Sequence, residues 1–194
     1  MQKTRPDKMK KNKDKALFLI IPGAGLILMA LIGILLSLGP GKEVGKTDSI
    51  TFPPIEVNQP APELSLTTLD GDQVSLADFH GDVVLLNNWA TWCPPCRLEM
   101  PEFNAYYNNY KDQGFQVLAV EAGQPEQEVR AFVEDNQLDF LVLLDPENKS
   151  LEMFQNSSLP NSYVMDREGN LRLAWLGAIN EATLEEYVTP LIKE

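Results

Sequence analysis

Trp89-Ala90-Thr91-Trp92-Cys93-Pro94-Pro95-Cys96 carries the only two cysteines of the chain, three positions apart. The stretch follows the apolar run Val83-Val84-Leu85-Leu86 and precedes a helical pattern, so the pair falls where a strand hands over to a helix. Two cysteines placed at random in a chain of 194 residues would stand at that spacing about once in a hundred cases, so the pair calls for a physical reason. A structural zinc site needs four Cys or His ligands, and His80 is the single histidine. A purely stabilising bridge would gain little, because closing so short a loop removes little entropy from the unfolded chain. The reading that fits is a dithiol that cycles with a disulfide. A helix N-terminus offers its orphan N–H groups and positive dipole end to a thiolate on Cys93.

Working outward toward the N-terminus, residues 16–38 form an uncharged apolar run of 23 residues, long enough to cross a ~30 Å hydrocarbon core as a helix. Residues 1–15 before it carry seven Lys or Arg against Asp7 and Asp14. Positive-inside logic places that basic tail in the cytoplasm and everything after Leu38 outside. The run is longer than the apolar region of a cleaved signal peptide and lacks its small-residue exit, which favours an uncleaved single-pass anchor in the cell membrane. Residues 39–59, rich in Gly, Pro, Lys and Thr, read as a linker, and a globular domain is expected over 60–194.

Residues 50–194 hold 24 acidic side chains against seven basic ones, a balance of −17. That argues against nucleic acid and anionic lipid as partners of the domain. Outside the cytosol a dithiol is not kept reduced by the glutathione and thioredoxin pools, so a reducing role requires electrons delivered through the membrane.

Within the domain, residues 64–69 and 73–76 flank Asp70-Gly71 and predict a hairpin. Strands follow at 82–88, 115–120 and 140–144, with helices at 94–111 and 125–136 between them, an alternation that implies parallel pairing through right-handed crossovers. A short helical piece at 149–154, an antiparallel pair at 163–165 and 171–175, and a last helix over 181–192 complete the α/β pattern. Pro101 is expected to kink the first helix, and His80 reads as surface punctuation before Gly81.

The strand, the Trp-Cys-Pro-Pro-Cys motif, its helix, and Leu159-Pro160 ahead of a later strand together resemble the thioredoxin fold with its redox-active dithiol. Ala61-Pro62, Asp70-Gly71, Leu76-Ala77-Asp78-Phe79-His80-Gly81, Asn87, Glu99 and Pro101 extend the likeness. They are similar to the membrane-anchored bacterial thiol-disulfide oxidoreductases of the TlpA and ResA group, with an N-terminal β-hairpin and a strand–helix insertion over 115–144. The resemblance covers about residues 60–192. It implies a reductase for disulfides in client proteins outside the cytoplasm, commonly apocytochrome c before haem attachment. It also implies a transmembrane electron donor of the CcdA or DsbD kind, and no cofactor beyond the Cys93–Cys96 disulfide.

On this reading Cys93 is the exposed nucleophile and Cys96, one turn in, the buried resolving thiol. Glu99 lies three residues beyond Cys96 on the same helical face, where a carboxylate can take or return the Cys96 proton, and the resemblance places a functional carboxylate there. Asn87 occupies the place where ordinary thioredoxins carry a buried Asp. Pro160 resembles the cis-proline that faces the active-site sulfurs and leaves the Leu159 backbone to an extended peptide. Trp92, Pro94, Pro95, Leu159 and Pro160 are the expected substrate contacts, and Trp89 a packing residue. Asn88, where an aromatic is usual, and Asn161-Ser162, where Thr is common, depart from the group's pattern.

Pro94 and Pro95 lack N–H groups, which removes two potential donors to a Cys93 thiolate and favours a reductant over a disulfide-forming oxidase. A thiol peroxidase of the AhpC/TSA type shares the fold but sets its cysteine in Pro-x-x-x-Thr-x-x-Cys. Counting back from Cys93 gives Ala90 and Leu86 at those two positions.

Overall fold

The structure is a computed structural model and describes residues 52–194. The basic tail, the apolar segment 16–38 and residues 39–51 of the linker lie outside the described residues. Among the described residues no helix is long and apolar enough to cross a membrane.

Eight strands form one mixed sheet: β1 (Ile55–Pro60), β2 (Ser65–Thr68), β3 (Gln73–Ser75), β4 (Val83–Trp89), β5 (Phe115–Glu121), β6 (Leu141–Leu144), β7 (Asn161–Met165) and β8 (Asn170–Leu176). Their order across the sheet is β1-β8-β7-β4-β5-β6-β2-β3. β4 pairs in parallel with β5, and β5 with β6, as the strand–helix alternation predicts. The hairpin β2–β3 pairs antiparallel to β6 at one edge, and β7 and β8 form the expected antiparallel pair. One expectation needs correcting: residues 55–59, expected as the end of the linker, belong with Pro60 to a strand that pairs antiparallel with β8.

The helices are α1 (Pro94–Tyr110), α2 (Glu126–Asn136), α3 (Lys149–Met153), α4 (Glu181–Tyr187) and α5 (Thr189–Ile192). α1 continues through Pro101 and ends in a 3-10 turn at Gly114, which takes the left-handed conformation (φ 76°) that glycine adopts without steric cost. The predicted last helix is two pieces. Pro190 cannot donate to the ladder, and the chain restarts at Thr189 with the proline in its first turn.

β4 is buried on both faces, which is why its sequence reads as a continuous apolar run. Val83, Leu85 and Trp89 join Met100, Phe103, Tyr106 and Phe132 in a core beneath the helices. Val84 and Leu86 join Leu64, Leu118 and Met165 on the other side of the sheet. By the same alternation Asn87 falls on the α1 side and Asn88 on the opposite one. The end of β4 therefore delivers one buried amide to each side of the sheet, and the chain continues to Cys93 at the head of α1.

Candidate active site

Cys93 is the N-cap residue of α1, with Pro94 and Pro95 in the first helical positions and φ fixed for them in advance. Its Sγ is joined to Cys96 in a disulfide and accepts the Cys96 N–H at 3.4 Å. Because both prolines lack an N–H, the Cys96 amide is the first in the helix able to reach that sulfur. Cys96 is fully buried, as expected. Cys93 is not the exposed residue that the sequence suggests: it is 3% exposed and belongs to the core that includes Trp89, Ala90 and Met100.

Beyond Cys96, Glu99 is 1% exposed in the interior. Oε1 accepts from the Asn87 amide at 2.8 Å, and Oε2 accepts the Ile179 backbone N–H at 3.2 Å. Burial pushes this carboxyl up to about 8, against the smaller pull of those two hydrogen bonds. The group therefore holds a proton at neutral pH and can exchange it near the pH at which thiols ionise. Glu102, one turn on and only partly buried, instead accepts the Glu181 N–H at 3.1 Å where α4 begins.

Asn87 also donates to Ser162 Oγ at 3.0 Å, its register partner across β4 and β7. Asn88 donates to Asn161 Oδ1 at 2.7 Å, the next pair in the same register. Asn161 in turn donates to the Ser158 carbonyl at 2.7 Å. The two places where the sequence departs from the group's usual pattern are thus partners, and the second tethers the loop that enters Pro160. Both departures are visible in the sequence, but the strand register that pairs them is not.

The Leu159–Pro160 peptide is cis, the form the resemblance implies, and the Pro160 carbonyl accepts the Gly177 N–H at 2.9 Å. A groove of about 400 Å³ brings together Trp92, Cys93, Pro94, Pro95 and Leu159, with Ala122 and Leu151. Trp92 is 65% exposed at its edge, a large apolar surface that a monomer gains nothing by showing to water. Pro160 itself is buried behind Leu159. Trp89 is fully buried against Phe132, with ring centroids 5.0 Å apart. His80 packs at Gly169, where an added Cβ would lie 2.6 Å from the imidazole.

Residues 57–174 match the AhpC/TSA family model. The chain belongs to the AhpC/TSA family. It is 33% identical to the thiol-disulfide oxidoreductase ResA of Bacillus cereus over 176 residues, 91% of this chain and 96% of that one. It is 35% identical to the thioredoxin-like protein YneN of Bacillus subtilis over 170 residues, 84% of this chain and 94% of that one. Among solved structures, a Chlorobium tepidum protein described as a thiol:disulfide interchange protein DsbE superposes with a TM-score of 0.66 at 30% identity. That likeness covers 71% of this chain and 99% of the other. The family's domain is thioredoxin-like, and with a CxxC disulfide at the head of α1 this member is a thiol-disulfide oxidoreductase. It lacks the Pro and Thr that accompany a peroxidatic cysteine.

Proposed function

We propose that this protein reduces disulfides in client proteins outside the cytoplasm, anchored through residues 16–38 with residues 1–15 inside. The observation that carries the direction is the N-cap geometry of Cys93, where two prolines leave the Cys96 amide as the nearest helical donor to the sulfur. A thiolate with few donors is poorly stabilised, which makes the reduced form a willing electron donor. The likeness to a ResA over 91% of this chain, more than the described domain, supports the anchored arrangement.

In the reaction, the Cys93 thiolate attacks a client disulfide, forming a mixed disulfide and expelling one client thiolate. Cys96, losing its proton to Glu99 in the fraction of molecules in which that carboxyl is ionised, then attacks the Cys93 sulfur. That step expels the second client sulfur as a thiolate, to which Glu99 can return the proton, and leaves the Cys93–Cys96 disulfide, two electrons having passed to the client. A membrane dithiol carrier of the CcdA or DsbD kind restores the dithiol. The protein's disulfide is the only redox group required. Trp92, Pro94, Pro95 and Leu159 form the surface that receives the client, with the buried cis Pro160 fixing the Leu159 backbone beside it, and the acidic domain suits a basic client such as apocytochrome c.

Cys96→Ser tests this directly, because the mixed disulfide at Cys93 cannot be resolved. Conjugates isolated from membranes should contain clients with paired cysteines. The reduction potential of the isolated protein should lie nearer the about −270 mV of thioredoxin than the about −120 mV of DsbA. A DsbA-like value would instead make it a disulfide-forming oxidase.

A further inference from the structure

The proposed reaction uses one buried carboxylate and leaves another idle. Glu121, the last residue of β5, stands in register with Trp89 of β4 and has no exposed surface. Its Oε2 accepts the Gln124 backbone N–H at 2.9 Å, whereas Oε1 is buried with no hydrogen-bond partner. The Gln124 side-chain oxygen in turn accepts both the Thr91 backbone N–H, at 2.7 Å, and the Thr91 hydroxyl, at 2.9 Å. Thr91 stands two residues before Cys93. Ala122, next to Glu121, gives its N–H to the Trp89 carbonyl at 3.0 Å and lines the same groove as Cys93. A chain of short hydrogen bonds thus joins this carboxyl to the loop that presents the nucleophile.

We propose that Glu121 is a positioning residue that latches the redox loop: through Gln124 it holds Thr91, and its ionisation releases that hold. The charged groups facing it are both acidic. Asp145, after β6, has its oxygens taken by the Lys149 and Ser150 backbone N–H groups at 2.9 and 2.8 Å. Glu128, on α2, accepts from the Gln124 amide at 3.1 Å. From β4 the neighbour is Trp89, which does not titrate, and the Lys149 ammonium is engaged with Glu147 at 3.0 Å. Burial pushes the Glu121 carboxyl up to about 7, against the Gln124 hydrogen bond, with Asp145 and Glu128 adding to the rise.

The direction follows from linkage. A closed loop keeps the Glu121 proton up to about pH 7, while a loop opened to water ionises it near the ordinary 4.5. Rising pH therefore favours the open loop between those values, by up to about 300-fold for an opening that fully hydrates the carboxylate. The orphaned Oε1 is the reason: as a carboxylate oxygen it has no donor inside, and opening supplies water. Opening also uncovers Cys93.

This inference rests on Cys93 being the attacking thiol, but its readout is alkylation and needs no client. A failure to reduce clients would therefore appear in a different assay. In the full-length chain carrying Cys96→Ser, in mild detergent, Cys93 alone reacts with iodoacetamide. Its rate, divided by the thiolate fraction measured by ultraviolet absorbance, should rise about tenfold or more from pH 5 to pH 7 and level off above. Glu121→Gln, which keeps an acceptor for Gln124 and cannot ionise, should abolish the rise. Gln124→Ala, at a half-buried position, should give a profile that is fast and flat at all pH values, because Thr91 is no longer held. The Glu99 carboxyl titrates above this window. A rise that persists in either Glu121→Gln or Gln124→Ala would overturn the latch.

Discussion

Replacing Glu99 by Gln should make the stability curves of the variant and the wild type cross as pH rises. In the folded protein the carboxyl ionises near 8 instead of 4.5, so between those values the native state keeps a proton that the unfolded chain has lost. Stability linked to that proton is fully present below 4.5, falls as pH rises, and is gone above 8. At ~1.4 kcal/mol per pH unit, the full span amounts to roughly 5 kcal/mol. Against this stands a constant cost. Both Glu99 oxygens accept from N–H donors, Asn87 and Ile179, and the amide nitrogen of Gln cannot accept from either. One donor is left unmet, which costs about 1–3 kcal/mol at every pH.

The variant should therefore be less stable than the wild type by about 1–3 kcal/mol at pH 4.5, and more stable by about 2–4 kcal/mol above pH 8. Urea unfolding of the oxidised protein at several pH values, followed by tryptophan fluorescence, measures the difference directly. Taking the difference cancels other titrating groups, Glu121 among them. A wild-type-minus-variant difference that stays flat across this range would refute the claim that Glu99 is protonated at neutral pH. Its role as acid and base for Cys96 would fall with it.

Three further perturbations probe neighbouring parts of the site. Trp92→Ala should leave the urea midpoint nearly unchanged, within about 0.5 kcal/mol, because the ring is mostly exposed. It should slow reduction of a protein disulfide severalfold while sparing a small aromatic disulfide, a contrast that parallel kinetic assays would show. Asn87→Ala removes the amide that holds Glu99 Oε1 and Ser162 Oγ. It should cost about 1–3 kcal/mol and drive the Glu99 carboxyl higher still, as carboxyl carbon chemical shifts against pH would report. Met100→Ala, one residue beyond Glu99 and fully buried, should lower stability by about 2–5 kcal/mol in urea unfolding.

The parts of this fold that could be read in the sequence are those where local pattern and tertiary burial agree. β4 announces itself as an apolar run because both its faces are covered, and Asp70-Gly71 marks the β2–β3 turn because the backbone there needs a positive φ (92° at Gly71). β1 left no such trace. Val57 and Ile55 are its only large apolar residues, Ile55 is exposed, and it exists as a strand because β8 offers an unpaired edge. The Pro190 break was visible in the sequence, but the apolar pattern on either side of it reads as one continuous helix.

In the site, spacing alone put Glu99 on the Cys96 face of α1. Its electrostatics could not be read that way, because the donors Asn87 and Ile179 arrive from 12 residues before and 80 residues after. The burial of Cys93, the pairing of Asn88 with Asn161, and the route from Glu121 to Thr91 all depend on strand register and loop closure. None of these has a period in the sequence.

Glu99 and Glu121 differ in a way their similar burial conceals. Desolvation is the leading cause of the raised value for both. Glu99 has a donor on each oxygen, from a strand side chain and from the backbone before α4, so its surroundings are already arranged for the anion. Losing its proton costs desolvation but leaves no lone oxygen, and the carboxylate can stay in place while it serves Cys96. Glu121 has one donor and one orphaned oxygen, and two acidic neighbours. Its anion can be relieved only by moving or by admitting water, and the structure tied to it through Gln124 is the loop that carries Thr91. Partner count therefore separates a carboxyl suited to passing a proton from one suited to releasing a latch, although both are buried and both titrate close to neutrality.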